Sequence, residues 1–267
     1  MSLPVRLEDS TALVTGASGG IGHAIVRALR ARGATVLASG RRRDVLEELA
    51  REVDGVEPLV ADLSDPAQVA ALVFGRRIDV LVANAALPAS GRLETFTEEE
   101  IDRALDVNLR APMHLARVLV PHMTQRGSGH LVFISSLSGK MASAGASVYN
   151  ATKFGLRGFG FALADELRGT GVGVTTVFPG FIRDSGMFAD SGAKLPRGVG
   201  TRTPDDVAKA VLRGIDRNRS EIDVAPFSLS SGARAFGLAP SLVAGVNRRL
   251  GAKDLAARIA KGQRDKR

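Results

Sequence analysis

Cysteine and tryptophan are absent from this 267-residue chain, and tyrosine occurs once, at Tyr149. Without cysteine there are no disulfides, no thiolate metal ligands and no thiol nucleophile, and a reducing compartment is allowed. The four histidines, His23, His114, His122 and His130, are scattered and share no motif with a Ser/His/Asp hydrolase. Nor do histidines and carboxylates cluster at ligand spacings, so no metal is expected. No run reaches the 18 or so apolar residues of a membrane span. The start, Met1 to Arg6 followed by Glu8 and Asp9, lacks the apolar stretch of a signal peptide, and a cytoplasmic protein is expected. One tyrosine, no tryptophan and no recognition motif leave only bulk charge to argue for nucleic acid, which is not expected as a partner.

What is present is an apolar, regularly punctuated chain. Its 45% hydrophobic content over 267 residues suffices for one α/β domain with a large core. Strand-like segments near 11–15, 34–39, 56–61, 78–83, 130–135, 172–178 and 221–225 alternate with helical stretches. Asp79-Val80-Leu81-Val82-Ala83 and Leu131-Val132-Phe133-Ile134 show no polar alternation, as expected of strands covered on both faces. The expected fold is α/β: a single Rossmann-type, doubly wound parallel sheet with helices on both faces, over residues 1–230. Residues 231–267 form a basic, helical C-terminal extension with nine Lys/Arg and two Asp, which leaves the first 230 residues nearly neutral in a chain of net charge +8.

Three local patterns carry chemistry. The strand Thr11–Thr15 runs directly into Gly16-Ala17-Ser18-Gly19-Gly20-Ile21-Gly22 and a helix through Arg32. Such a turn lets a pyrophosphate approach unpaired amides at a helix N-terminus. Tyr149 and Lys153 lie four apart, on one face of a helix, with Ser136 thirteen residues upstream. Bringing a phenol from its ordinary pKa to neutrality takes about three units, or ~4 kcal/mol, and a neighbouring cation is the natural agent. The end of the second strand reads Ala38-Ser39-Gly40-Arg41-Arg42-Arg43, with Gly40 where a carboxylate would select a ribose 2′-hydroxyl and arginine available to a 2′-phosphate. NADP(H) is therefore expected in preference to NAD(H).

In order, Thr15 to Gly22, Asn84-Ala85-Ala86, Asn108, Ser136, Tyr149 to Lys153 and Pro179-Gly180 resemble the marks of the short-chain dehydrogenase/reductase family over about residues 8–227. The resemblance implies hydride transfer between a nicotinamide cofactor and a small-molecule carbonyl or secondary alcohol. It makes Asn108, Ser136, Tyr149 and Lys153 the catalytic set. Tyr149 handles the proton, Ser136 orients the substrate oxygen, Lys153 lowers the Tyr149 pKa and holds the nicotinamide ribose, and Asn108 anchors a relay water. It assigns cofactor contacts to Gly16, Ser18, Gly20, Ile21, Gly22, Arg41, Arg42, Asp62, Leu63, Asn84, Ala85, Tyr149, Lys153, Pro179, Gly180 and Ile182. Asp62 is read as the adenine-side carboxylate, against the alternative of a helix cap for the segment after Ser64. Two positions depart from the pattern: Ala86 replaces the usual Gly, and Asp184 stands where a Thr often contacts the nicotinamide carboxamide. Pro112, four residues after Asn108, leaves the Asn108 carbonyl without a helical donor.

The resemblance further implies a homodimer or homotetramer paired through the helices bearing Ala111 to Met123 and Val148 to Arg168. Residues 184–203, with Met187, Phe188 and Leu195, are read either as a lid over the substrate or as an ordered surface loop. After Pro240, Leu242, Val243, Val246, Leu250, Leu255 and Ile259 recur at helical intervals among Arg248, Arg249, Lys253, Arg258 and Lys261. This pattern suits either a helix packed on the domain, frayed from Gln263 to Arg267, or peripheral contact with an anionic membrane surface. A non-catalytic nucleotide-binding scaffold is the rival to an enzyme.

Overall fold

A computed structural model describes residues 5–195, 199–249 and 252–263, with side chains at all of these except 244, 246–249 and 252–255. Residues 1–4, 196–198, 250–251 and 264–267, and among others the side chains of Val246, Arg248, Arg249, Lys253 and Leu255, thus lie outside the described set. Seven strands form the sheet: β1 Thr11–Thr15, β2 Thr35–Gly40, β3 Val56–Val60, β4 Val80–Ala83, β5 Gly129–Ile134, β6 Val172–Pro179 and β7 Glu221–Val224. All pairings are parallel, in the order β3-β2-β1-β4-β5-β6-β7. Every residue of β4, β5 and β6 is buried, which explains their unbroken apolar composition.

The helices are α1 Gly20–Arg30, α2 Arg43–Glu52, α3 Pro66–Ala71, α4 Glu98–Leu105, α5 Ala111–Arg126, α6 Ser147–Glu166, α7 Met187–Asp190, α8 Pro204–Arg217, α9 Phe227–Leu238, α10 Pro240–Arg249 and α11 Ala252–Gln263. They cover both sheet faces. In β1, Ala12 and Val14 join Ile25, Val26 and Leu29 of α1 and Val207, Val211 and Ile215 of α8. The intervening Leu13 points the other way, to Leu115, Leu119 and Met123 of α5 and Leu156 and Leu163 of α6. That two-residue alternation in β1 fixes its register, because a slip by one would exchange the two faces.

Local signals set the helix starts. Thr97 and Asp206 complete reciprocal capping boxes at α4 and α8, the latter with Thr203, and Asp65 caps α3 through Ala67 N–H at 2.8 Å. Gly127, in the left-handed region at φ 66°, closes α5. Sequence order reverses between β1 and β4, opening a crevice at the strand carboxyl ends. Residue 230, the expected domain boundary, falls inside α9, whose Ala233 packs on Leu137 and Phe178. Among the described residues, no helix is long and apolar enough to cross a membrane.

Candidate active site

The glycine turn closes β1 against β4. Gly16 sits at φ 65°, and a β-carbon there would fall 2.7 Å from the Ala85 Cα, so only glycine fits. The Asn84 side chain staples the turn, its amide donating to the carbonyls of Thr15 at 3.0 Å and Gly16 at 3.2 Å. The Thr15 hydroxyl in return accepts from Asn84 N–H and Ala85 N–H, each at 3.1 Å. The result is a bare backbone cradle at the N-terminus of α1, suited to the pyrophosphate of a dinucleotide.

Beside the cradle, Gly40 ends β2 and lies against the Ser18 hydroxyl. Arg42 donates to the Ser18 carbonyl, and Arg41 is exposed next to it. No carboxylate stands at Gly40, so the corner is open to a phosphate. Asp62 accepts from Ser64 N–H at 2.9 Å and the Ser64 hydroxyl at 2.7 Å, and lies 3.7 Å from Arg103. Burial alone would raise its carboxyl, but the Ser64 hydrogen bonds and the charges of Arg103 and Arg41 hold it below the usual range. Asp65 caps the following helix, so the cap alternative for Asp62 does not hold. Leu63 and Ile182 are buried, the latter in the core on the α1 and α8 face.

Ser136 follows β5, and Tyr149 and Lys153 project from the first turns of α6. The Ser136 hydroxyl faces the Tyr149 phenol, favouring its ionised form, and lies 3.5 Å from the Pro179 carbonyl, while also capping Ser138 N–H at 3.1 Å. Lys153 is 1% exposed; its Nζ donates to the Ile134 carbonyl at 3.0 Å and stands 5.7 Å from the Tyr149 ring centroid. Ser135, adjacent to Ser136, is instead turned to the Lys153 carbonyl at 3.0 Å.

The electrostatics correct one expectation. Burial pushes the Tyr149 phenol up to about 12, with the Ser136 hydrogen bond pulling the other way, and pushes Lys153 down to about 8. Lys153 is buried and Tyr149 half-buried, and the ammonium meets a carbonyl and the ring rather than the phenol oxygen, so desolvation outweighs the cation's pull on the phenol. At pH 7 the site holds a protonated phenol, the acid form.

Asn108 is fully buried within a π-helical turn, Asp106–Arg110, where a regular helix was expected. Its side chain accepts from Leu87 N–H at 2.7 Å and donates to the Leu87 carbonyl at 2.9 Å.

The stretch after Gly180 is anchored at its base. Arg183 N–H donates to the Arg202 carbonyl and Arg202 N–H to the Phe181 carbonyl, each at 2.9 Å. Asp184, in the left-handed region at φ 72°, turns its carboxylate outward toward Arg183 at 3.5 Å. The next residue, Ser185, takes the inward position: a β-carbon on Gly20 would fall 2.3 Å from its hydroxyl oxygen, which is buried and without a hydrogen-bond partner. Sequence reading stopped at Asp184 and missed Ser185. Gln263, expected in a frayed end, is 3% exposed and bonded to the Met187 carbonyl at 2.9 Å. A separate cleft of about 650 Å³ runs along α8 between Arg32, Arg202, Lys209 and Arg213; none of Ser136, Tyr149 and Lys153 lines it.

The short chain dehydrogenase family model matches residues 10–196. A ketoacyl reductase of Nostoc sp., HetN, is 37% identical over 227 residues, spanning 82% of this chain and 79% of its own. Among solved structures, a short-chain dehydrogenase from Sphingobium yanoikuyae in complex with NADPH superposes with a TM-score of 0.77 at 29% identity, covering 91% of this chain and 95% of that one. A 3-ketoacyl-(acyl-carrier-protein) reductase from Brucella melitensis complexed with NADH gives 0.72 at 29% identity, covering 82% and 97%. A bare dinucleotide cradle beside a half-buried tyrosine and a buried lysine, on a sheet and a sequence shared with these proteins, makes the chain a member of the short-chain dehydrogenase/reductase family, an NAD(P)-dependent oxidoreductase.

Proposed function

We propose that the protein is an NADP(H)-preferring reductase of a carbonyl substrate, reversible toward the secondary alcohol, with Tyr149 as general acid and base. The observation that carries this reading is the convergence of the Ser136 hydroxyl, the Tyr149 phenol and the Lys153 ammonium at the carboxyl ends of β5 and β6. The cofactor, when bound on the cradle from Gly16 to Gly22, supplies the hydride.

Each residue has its own task. Ser136 donates a hydrogen bond to the substrate oxygen and orients it. Tyr149 holds, at its phenol oxygen, the proton that this substrate oxygen receives, and a phenol kept protonated by burial is in the state that reduction requires. Lys153 then stabilises the phenolate left behind, since a cation gains where an anion forms in a dry site. The Asn108 carbonyl, facing a proline four residues on, anchors a water that returns the proton. Arg41, Arg42 and the Ser18 hydroxyl hold the 2′-phosphate in a fork geometry that suits guanidinium.

Exposed Phe154 and Phe161 on α6 and Met113 on α5 support pairing of two subunits through these helices. Exposed Leu238 and Leu242 beside the basic C-terminal segment leave a surface for anionic lipid. The ketoacyl reductase relatives suggest 3-oxoacyl compounds as the first substrates to try.

The test is consumption of NADPH with a panel of 3-oxoacyl thioesters, ketones and aldehydes, in wild type and Tyr149→Phe. Turnover by wild type and loss of at least about a hundredfold in the variant, with NADPH affinity kept, is the expected result. Equal rates in the two proteins would remove Tyr149 from the chemistry. Binding of NADPH without consumption across the panel would favour the scaffold.

A further inference from the structure

We propose that the C-terminal helix α11 is a working part of the cofactor site, and that Gln263 is a positioning residue which holds α7 down over the dinucleotide turn. The proposal rests on the reading of Gly16 to Gly22 as that turn.

The contacts form one continuous chain. Gln263 donates its side-chain amide to the Met187 carbonyl at 2.9 Å and is itself 3% exposed, which is unusual for a glutamine near the end of a basic helix. One residue earlier, Gly262 meets Ser191 so closely that a β-carbon would lie 2.2 Å from the Ser191 carbonyl oxygen. The C-terminal turn of α11 is therefore seated backbone to backbone on the far end of α7. At its near end, α7 follows directly from Ser185 and Gly186. Ser185 presses on Gly20, and a β-carbon on Gly186 would touch the Ile21 side chain at 3.6 Å. From Gln263 to Gly20 there is no gap: the tail holds α7, and the segment leading into α7 covers the turn.

A second contact reaches the catalytic side. The Ala256 methyl lies 3.6 Å from the position of a β-carbon on Gly145, in the loop that leads into Tyr149. Gly145 is at φ 75° and its carbonyl accepts from Gly91 N–H at 2.7 Å, so this loop is firmly placed. Helix α11 thus spans from the lip beside Tyr149 to the lip beside Gly20. Two polar atoms on this path, the Ser185 hydroxyl and the Gln263 side-chain carbonyl, are buried with no hydrogen-bond partner among the described residues. Buried polar atoms are ordinarily satisfied, and an orphaned hydroxyl pressed on a phosphate-binding turn is the group a bound pyrophosphate or nicotinamide amide would complete. Lys261, the exposed basic residue of α11 next to Gly262, takes no part in these contacts.

The experiment measures NADPH affinity by fluorescence without substrate, and amide hydrogen exchange across residues 183–195, in the full chain. Gln263→Glu keeps the shape and removes the donor; Gly262→Val drives α11 off α7. Both are expected to weaken NADPH binding about five- to tenfold, the loss of roughly one hydrogen bond, and to speed exchange in 183–195. The cofactor KM should rise while kcat stays within about twofold. Lys261→Ala is expected to change neither readout. Wild-type affinity and exchange in Gln263→Glu would overturn the proposal, whether or not Gly262→Val folds. An equal effect from Lys261→Ala would overturn it too, by assigning the tail a purely electrostatic role. A wild-type protein that fails to bind NADPH sinks the function reading, whereas wild-type binding with unaltered variants sinks this inference alone.

Discussion

Replacing Lys153 with methionine should make the stability of the protein less dependent on pH between 7 and 9.5. The ammonium is fully buried with one carbonyl partner, and its pKa is pushed from 10.5 down to about 8. In the unfolded chain the group keeps its ordinary value. At pH 7 both states are protonated, and the folded state carries the cost of the buried charge, about 3 kcal/mol by linkage. As pH rises above 8 the folded protein releases this proton before the unfolded chain does, so the cost shrinks to about 1 kcal/mol by pH 9.5. Wild type should therefore gain about 2 kcal/mol relative to Lys153→Met between pH 7 and 9.5, with every other titration common to both proteins and cancelling. Methionine also leaves the Ile134 carbonyl unpaired, which costs roughly 1–3 kcal/mol at every pH and does not affect the slope. Urea unfolding of the cofactor-free proteins at four pH values gives the double difference directly. Parallel profiles, differing by less than about 0.5 kcal/mol over that range, would refute the claim that the ammonium is held charged against its burial.

Asn108→Ala strips both hydrogen bonds from the buried Leu87 main chain and should cost about 2–5 kcal/mol in chemical unfolding without cofactor; a loss below about 0.5 kcal/mol would show that the 87 segment finds other partners. Arg41→Ser with Arg42→Ser should raise the NADPH KM by about tenfold or more and leave NADH nearly unchanged, as read from initial rates with each cofactor. An equal rise for both cofactors would place the arginines elsewhere than at the 2′-phosphate.

The sheet was legible because its strands announce themselves. The unbroken apolar runs at 80–83 and 131–134 could only be covered on both faces. The glycine turn and the Tyr149–Lys153 spacing were equally readable, since each is a local pattern with a local cause. What escaped notice was set by distance in the chain or by burial. Gln263 finds its partner 76 residues away, and nothing near it in sequence hints at that. Ser185 gained its place only because Asp184 adopts a left-handed backbone that glycine or asparagine would more commonly signal. The direction of the Tyr149 pKa depended on how much water the fold excludes, which spacing cannot report.

The paired amide bonds between the Phe181–Arg183 and Arg202 strands of backbone fasten both feet of the intervening segment at a single point beside β6. Such a fastening makes the part of the segment beyond Ser191 a cartridge. It can be exchanged or lengthened while the sheet beneath stays untouched, because the entropy of a longer excursion grows only with the logarithm of its length.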